Sequence, residues 1–176
     1  MDLNIKQTLK LLSSYLEKKG LSRTFIICGG ASLILQGIIT RGTKDIDIVG
    51  PEIDEVLKEA AVYVADQLGL NPNWLNTEPK GLAKDMTPGW EKRIFEVYKS
   101  ACLIVHSISR EDMIFAKFYA YCDRQKDLQD LIDLRVTSPE IDKAAELTIQ
   151  KDGHALWPKY VKEQQLKLKQ RMGYES

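Results

Sequence analysis

The chain is poor in the residues that usually mark metal centres and disulfide frameworks. It has three cysteines and two histidines in 176 residues, and their spacing fits neither a zinc site nor a set of disulfides. We interpret Cys28, Cys102 and Cys122, which all lie in apolar segments, as buried, reduced thiols. The scarcity of histidine also argues against a phosphohydrolase centre, which usually needs imidazole ligands.

Long apolar runs and net charge are missing as well. No run approaches the length of a membrane span, and the N-terminal MDLNIKQTLKLL lacks the pattern of a signal peptide. We therefore expect a cytoplasmic protein that does not associate with membranes. Lysine plus arginine and aspartate plus glutamate number 25 each. This balance excludes a protein that coats nucleic acid by bulk attraction but allows a local basic face.

The pattern of apolar residues predicts a mixed α/β (α+β) fold. Short β-branched or alternating runs predict strands at 24–28, 45–49, 93–99 and 102–108. Helical spacing predicts helices at 3–19, 31–37, 52–68, 125–135, 139–151 and 157–171, and one more that is capped by Ser109 and carries MIFAKFYAYC. This order predicts a small mixed sheet flanked by helices over 1–135, with a helical extension at 136–176 packed on it as one unit. The long irregular stretch at 69–90 is typical of a lid or rim.

Residues 28–48, CGGASLILQGIITRGTKDIDI, hold the most informative pattern. Alternate side chains of a strand share a face, so Asp45 and Asp47 point the same way while Ile46 and Ile48 point into the core. Two carboxylates this close repel each other unless a cation neutralises them. Hard oxygen ligands of this kind suit Mg²⁺ or Mn²⁺ together with substrate phosphates. The pattern therefore predicts a metal site at the two aspartates.

A Gly-Gly pair precedes these carboxylates. Gly29 and Gly30 come between a strand and a helix, where the lack of a Cβ lets the backbone approach a phosphate. Ser32 offers a hydroxyl, and an extended stretch would place Arg41 and Thr43 on the face of the carboxylates, where the arginine can neutralise phosphate. A Gly-Gly pair alone is typical of a turn, and a D-x-D alone of a solvated strand face. Their combination favours an active site.

The same stretch resembles the signature of the nucleotidyltransferase superfamily that includes DNA polymerase beta. That signature is an apolar residue, Gly-Gly or Gly-Ser, a spacer, and then Asp-apolar-Asp/Glu-apolar. Here it reads CGG, a spacer of fourteen residues and DIDI, and the spacer is one residue longer than the usual pattern. GGASLILQGIITRGTKDIDI, TPGWEKR and SREDMIFAKFYAYCDRQKDLQDLIDL resemble segments of small bacterial nucleotidyltransferase-like proteins, some of which are toxins of toxin–antitoxin or abortive-infection systems. The resemblance spans roughly residues 24–135 and implies a nucleotidyltransferase core.

The resemblance also implies roles for individual residues. The two aspartates would bind metal, and the Gly-Gly turn, with Ser32, would hold a triphosphate. Lys117 would contact phosphate, and Asp127 would complete the catalytic site. Other interpretations stay open: Lys117 also fits a lysine that extends from a core face into solvent, and the segment around Asp127 and Asp130 has the pattern of an amphipathic surface helix.

A third carboxylate is the part of the pattern that this chain does not clearly supply. Polymerase-like members of the superfamily carry it on a later strand. Glu96 is the only acid in the predicted hairpin strands, and Asp127 and Asp130 lie in helical segments. Which of the three, if any, completes the site is left open.

We therefore predict a nucleotidyltransferase that depends on Mg²⁺ or Mn²⁺. It would transfer a nucleotidyl group from a nucleoside triphosphate to an acceptor hydroxyl, on an RNA end such as that of tRNA or on a protein. The resemblance extends to a toxin-type enzyme, which would imply an antitoxin partner. The missing third carboxylate supports the alternative of a nucleotide-binding or protein-interaction module with little or no activity.

Overall fold

The computed structural model describes residues 2–77 and 86–174. Contacts divide these residues into two units. The first unit contains residues 2–77 and 91–108, and the second contains residues 86–90 and 109–174.

The described residues form seven α-helices, five strands and one turn of 3₁₀ helix at Trp90–Lys92. The helices are α1 (Ile5–Lys18), α2 (Gly29–Leu35), α3 (Glu55–Leu68), α4 (Arg110–Arg124), α5 (Leu128–Asp133), α6 (Ser138–Ile149) and α7 (Trp157–Arg171). The strands are β1 (Arg23–Cys28), β2 (Ile46–Gly50), β3 (Leu75–Asn76), β4 (Phe95–Lys99) and β5 (Leu103–Ser107).

The first unit is built on a five-stranded mixed sheet in the order β3-β2-β1-β5-β4. Strand β1 pairs antiparallel with β2 and parallel with β5. Strand β3 pairs parallel with β2, and β4 pairs antiparallel with β5. The order places β2 and β4 three strands apart. At the usual strand spacing, this separation is about 14 Å.

The core of the first unit lies between the sheet and the helices α1 and α3. Leu9, Leu12 and Leu16 recur at helical spacing along α1 and are fully buried, and each contributes about 2 kcal/mol by leaving water. Helix α1 begins where the Asn4 side chain accepts a hydrogen bond from the Gln7 backbone. The two helices thus cover the apolar face of the sheet.

Helix α3 begins at Asp54, whose side chain accepts a hydrogen bond from the Leu57 backbone N–H over 2.8 Å. It ends at Gly69, which has the left-handed conformation that favours glycine (φ +62°). Strand β3 follows within a few residues, and its short pairing with β2 was not predicted from the sequence. Within the predicted lid or rim at 69–90, Leu75–Asn76 form this strand, and residues 78–85 lie outside the described part of the chain. A lid or rim stays a prediction.

The second unit is helical, and α6 packs against both α4 and α7. Helix α4 begins as predicted at Ser109, whose hydroxyl accepts a hydrogen bond from the Asp112 backbone over 3.2 Å. Helix α6 begins with a capping box, in which the Thr137 and Glu140 side chains bond each other's backbone N–H groups. The mixed α/β fold with a helical C-terminal region is confirmed. The structure groups α4 and α5 with the C-terminal helices, and a domain boundary after residue 135 stays a prediction.

Glu140 is expected to stabilise the second unit less as the pH falls. Its pKa is lowered from 4.5 to about 2, mainly because the Arg110 guanidinium donates hydrogen bonds to the carboxylate. A hydrogen bond from the Thr137 backbone lowers the pKa further, whereas burial raises it. A carboxyl with a lowered folded-state pKa stabilises the fold above its unfolded pKa, and this contribution is lost as the pH falls from 4.5 towards 2. Because the side chain is partly exposed, we expect about 1 kcal/mol at neutral pH.

Urea unfolding of the wild type and Glu140→Gln across a pH series measures this contribution. The variant should lose about 1 kcal/mol at neutral pH and approach the wild type near the lowered pKa. A stability difference that stays constant over the series would contradict the ion-pair explanation.

Candidate functional site

The Gly-Gly turn and the D-x-D strand lie side by side in the first unit. The register pairs Cys28 of β1 with Asp47 of β2, so Gly29, the next residue, lies beside the Asp47 carboxylate. A Cβ built on Gly29 would be 3.0 Å from Asp47 Oδ2, and Gly29 has φ +69°. Only glycine meets both conditions without strain. The structure therefore brings together the two halves of the sequence pattern.

The two faces of strand β2 differ in exposure, as the alternation of apolar and acidic residues predicts. Ile46 and Ile48 are 0% and 1% exposed in the core. Asp45 is exposed and Asp47 is half-buried on the other face. The apolar residues fix the register of the strand, which places Asp47 on the face away from the core. Asp45 directly precedes the strand.

Thr43 connects the second glycine to the first carboxylate. Its hydroxyl donates to Asp45 Oδ1 over 3.3 Å, and a Cβ on Gly30 would be 3.3 Å from the same Thr43 oxygen. The backbone carbonyl of Thr43 accepts a hydrogen bond from Leu3 N–H over 2.7 Å, which holds the segment before β2 in place. Gly29, Gly30, Thr43 and the two aspartates thus form one cluster, called here the glycine–aspartate cluster.

Ser32 faces away from solvent. Its side chain is fully buried, and its hydroxyl lies 2.5 Å from that of Ser107 and accepts from Gln36 Nε2 over 2.9 Å. In this arrangement the Ser32 hydroxyl joins α2 to β5, and its contact with a phosphate stays a prediction. No sequence pattern pointed to Ser107 or Gln36, because their meeting depends on how β5 pairs with β1.

Arg41 is exposed on the segment that leads to β2. Its predicted contact with a phosphate also stays a prediction.

The candidates for a third carboxylate lie elsewhere in the chain. Glu96 is on β4 opposite His106, three strands from Asp47. That is about 14 Å at the usual strand spacing, which is too far for a shared metal ion. Within residues 2–77 and 86–174, no group of three or more His, Cys, Asp or Glu side chains is placed to hold a metal. The residue opposite Asp47 on the next strand is Asn76, which the sequence did not single out.

Lys117, Asp127 and Asp130 form a separate cluster in the second unit. Lys117 Nζ lies 3.0 Å from Asp127 Oδ1 and 2.7 Å from Asp130 Oδ2. Lys117 is 9% exposed and Asp130 is 1% exposed. The sequence allowed a lysine that extends into solvent, but the structure places its amine in buried ion pairs. The catalytic roles of Lys117 and Asp127 stay predictions.

The comparison with protein families decides the identity of the chain at family level. Residues 3–160 match the model of a family described as nucleotidyltransferase of unknown function, DUF6036. The chain belongs to this family. The nucleotidyltransferase match covers the sheet, the glycine–aspartate cluster and most of the second unit, which is more than the predicted resemblance covered.

Two further observations complete the comparison. No curated protein and no solved structure matches this nucleotidyltransferase chain significantly. Among its described residues, no helix combines the length and apolar character needed to cross a membrane.

Gly29→Ala tests whether the close approach of the turn to Asp47 matters for nucleotide binding at the glycine–aspartate cluster. The variant should lose about 1–2 kcal/mol of stability because alanine is strained at positive φ. The new Cβ should also displace the Asp47 carboxylate and lower the affinity for a nucleoside triphosphate about tenfold. Calorimetric titration with Mg²⁺ measures the affinity, and thermal unfolding measures the stability.

Gly37→Ala is the matched control for this prediction. Gly37 has φ +71°, yet a Cβ there would meet nothing within 4 Å. It should therefore show a similar loss of stability with unchanged affinity. Equal affinities for the two variants would show that the approach to Asp47 has no role in binding.

Proposed function

We propose that the chain is a Mg²⁺-dependent enzyme that transfers a nucleotidyl group from a nucleoside triphosphate to an acceptor hydroxyl. The observation that carries this proposal is the glycine–aspartate cluster. It sets a Cβ-free turn within contact distance of the Asp47 carboxylate, and a second carboxylate, Asp45, directly precedes the same strand. Membership of a nucleotidyltransferase family supports the same reaction class.

The residues of the cluster are suited to bind the negatively charged triphosphate and the positively charged metal ion. Backbone at Gly29 and Gly30 is open to close approach by a triphosphate, and Arg41 is near enough in sequence to pair with it. Asp45 and Asp47 are the hard oxygen donors that would hold Mg²⁺. When bound, the metal would neutralise phosphate charge and lower the pKa of the attacking hydroxyl.

The proposed reaction is an in-line displacement at the α-phosphorus. The acceptor oxygen forms a bond to that phosphorus, and the bond to the oxygen bridging the α- and β-phosphates breaks. Pyrophosphate leaves with the bonding electron pair, and the proton of the acceptor hydroxyl passes to water. The role of the cluster is to hold the triphosphate so that its leaving group points towards the glycines.

Lys117 and Asp127 enter this proposal through the family resemblance alone. The resemblance supports a phosphate contact for Lys117 and a catalytic role for Asp127. Both residues already form an ion pair with each other.

The proposal also covers the acceptor of the nucleotidyl group and the biological role of the protein. An RNA end, such as that of tRNA, and a protein side chain are the two classes of acceptor. Resemblance to toxin-type nucleotidyltransferases supports a toxin role with an antitoxin as protein partner.

A second candidate function is a nucleotide-binding or protein-interaction module with weak or no transfer activity. The observation that favours it is the acid content of the cluster. Asp45 and Asp47 are its only acids among the described residues, whereas polymerase-like relatives use three.

Calorimetric titration of the four nucleoside triphosphates, with and without Mg²⁺, tests the proposal. We expect the wild type to bind at least one triphosphate only when Mg²⁺ is present, and the Asp45→Ala/Asp47→Ala variant to bind none. The bound triphosphate, labelled at its α-phosphate, then goes into transfer assays with RNA and protein acceptors. Binding without transfer to either class would favour the second candidate, and no binding with Mg²⁺ or Mn²⁺ would contradict the enzyme proposal.

A further inference from the structure

We propose that a polar pocket beside Asp45 receives the terminal nucleotide of an RNA acceptor. This inference rests on the proposed nucleotidyl transfer and assigns a place and a chemical class to its acceptor. The pocket has a volume of about 380 Å³, within the usual range for ligand sites. Its lining residues, all in the first unit, are Lys44, Asp45, Gly69, Leu70, Asn71, Asn73 and Asn76.

The position of the pocket fits an acceptor better than it fits a leaving group. Gly29 and Gly30 follow β1, on one side of β2. The pocket lies on the other side, where β3 pairs with β2 and Asn76 is opposite Asp47. In an in-line displacement the attacking and leaving oxygens are on opposite sides of the phosphorus. If pyrophosphate leaves towards the glycines, the acceptor arrives from the side of this pocket.

The side chains of the pocket suit a nucleotide. Lys44 is an exposed cation that can contact a phosphodiester, as lysines do in nucleic-acid complexes. Three asparagines line the pocket, and the amide is a group that pairs with the base edges and the ribose hydroxyls of an unpaired RNA end. Leu70 is the only large apolar side chain among the described residues of the lining. This composition disfavours a protein segment, which would bring apolar side chains that need apolar partners.

The pocket is held rigidly against the strand that carries the carboxylates. Trp74 is fully buried, and its indole N–H donates to the Ala61 carbonyl of α3 over 2.9 Å. Its own carbonyl accepts from Ile46 N–H over 2.6 Å, directly after Asp45. Asn71 Oδ1 accepts from the Asn73 backbone over 2.8 Å. The turn between α3 and β3 is thus tied to both neighbours, as a subsite that positions a hydroxyl should be.

Photocrosslinking locates the RNA end without requiring transfer. The probe is a short RNA of random sequence whose 3′-terminal residue is 4-thiouridine, and crosslinked peptides are mapped by mass spectrometry. We expect adducts on Lys44 or on the turn that contains Asn71 and Asn73. Adducts confined to other parts of the chain, or none under conditions where the probe binds, would overturn the proposal.

Kinetics with matched variants test the same subsite during turnover. Lys44→Ala and Asn73→Ala should each raise the KM for RNA about tenfold with unchanged triphosphate affinity, and Lys44→Ala should also reduce the salt slope of RNA binding by about one. Lys10→Ala and Gln67→Ala are exposed controls on α1 and α3 and should match the wild type.

Different results would contradict the acceptor pocket and the proposed nucleotidyl transfer. Unchanged KM values in an enzyme that labels RNA would overturn the subsite and leave the transferase intact. Labelling of protein but not RNA would overturn the class of acceptor. Failure of the wild type to bind any triphosphate would count against the transferase, while the crosslink would still report on the pocket.

Discussion

Asp45→Asn and Asp47→Asn are each expected to lower the rate of nucleotidyl transfer by about a thousandfold, as removal of one group that stabilises transition-state charge does. Each change keeps the shape of the side chain and removes its negative charge. The site then loses one of the proposed metal ligands, and in Asp47→Asn the side chain beside Gly29 keeps its size. The measurement is the initial rate of labelled nucleotide transfer at saturating triphosphate and Mg²⁺.

Stability separates loss of charge from loss of fold in these variants. Asparagine keeps the size of the aspartate side chain and its ability to accept hydrogen bonds. Each Asp→Asn variant should therefore unfold at nearly the same temperature as the metal-free wild type. A variant that is inactive because it is misfolded would unfold earlier.

Asp66→Asn is the matched control, because Asp66 is an exposed acid on α3. It should change neither the transfer rate nor the unfolding temperature. Near-wild-type rates for both Asp45→Asn and Asp47→Asn would contradict a metal-binding role for these two residues.

The local part of the glycine–aspartate cluster could be predicted from the sequence, because its signals are short-range. Alternation of Ile46 and Ile48 with the two aspartates fixes which face of β2 is buried. The Gly-Gly pair marks the end of β1, where one glycine needs a positive φ. Both signals act within a few residues, so neither depends on the rest of the fold.

The remaining features depend on pairing between distant segments, which no local pattern encodes. The sequence predicts that the Ser32 hydroxyl contacts a phosphate. The pairing of β5 with β1 instead places the Ser107 hydroxyl within hydrogen-bond distance of it. Glu96 seemed a candidate third acid until the strand order placed β4 far from β2. Asn76 had no signal at all, because a two-residue strand has too few side chains to show alternation.

Lys117→Met is expected to destabilise the second unit by about 3–5 kcal/mol, the usual cost of removing one partner from a buried ion pair. The lysine amine lies 2.7 Å from the Asp130 carboxylate, which is 1% exposed. Without the lysine, that carboxylate loses a cation in a place that water hardly reaches. Urea unfolding measures the loss.

Lys143→Met is the matched control on the same unit. Lys143 lies 2.9 Å from Glu111, but these side chains are 58% and 42% exposed. An exposed pair of this kind contributes at most about 1 kcal/mol. The control should therefore lose far less stability than Lys117→Met. Equal losses would show that burial does not increase the contribution of the Lys117 ion pair to the free energy of unfolding.

The double variant Lys117→Met/Asp130→Leu separates structure from catalysis. Replacing both charges by apolar side chains of similar size removes the Asp130 carboxylate together with the lysine, so most of the lost stability should return. If Lys117 only holds α4 to α5, transfer activity should return with it. If Lys117 contacts a phosphate, as the family resemblance implies, the double variant should be stable yet transfer about a hundredfold more slowly, as for a lost transition-state contact. Stability and rate measured on the same protein therefore decide whether this buried pair belongs to the fold alone or also to the chemistry.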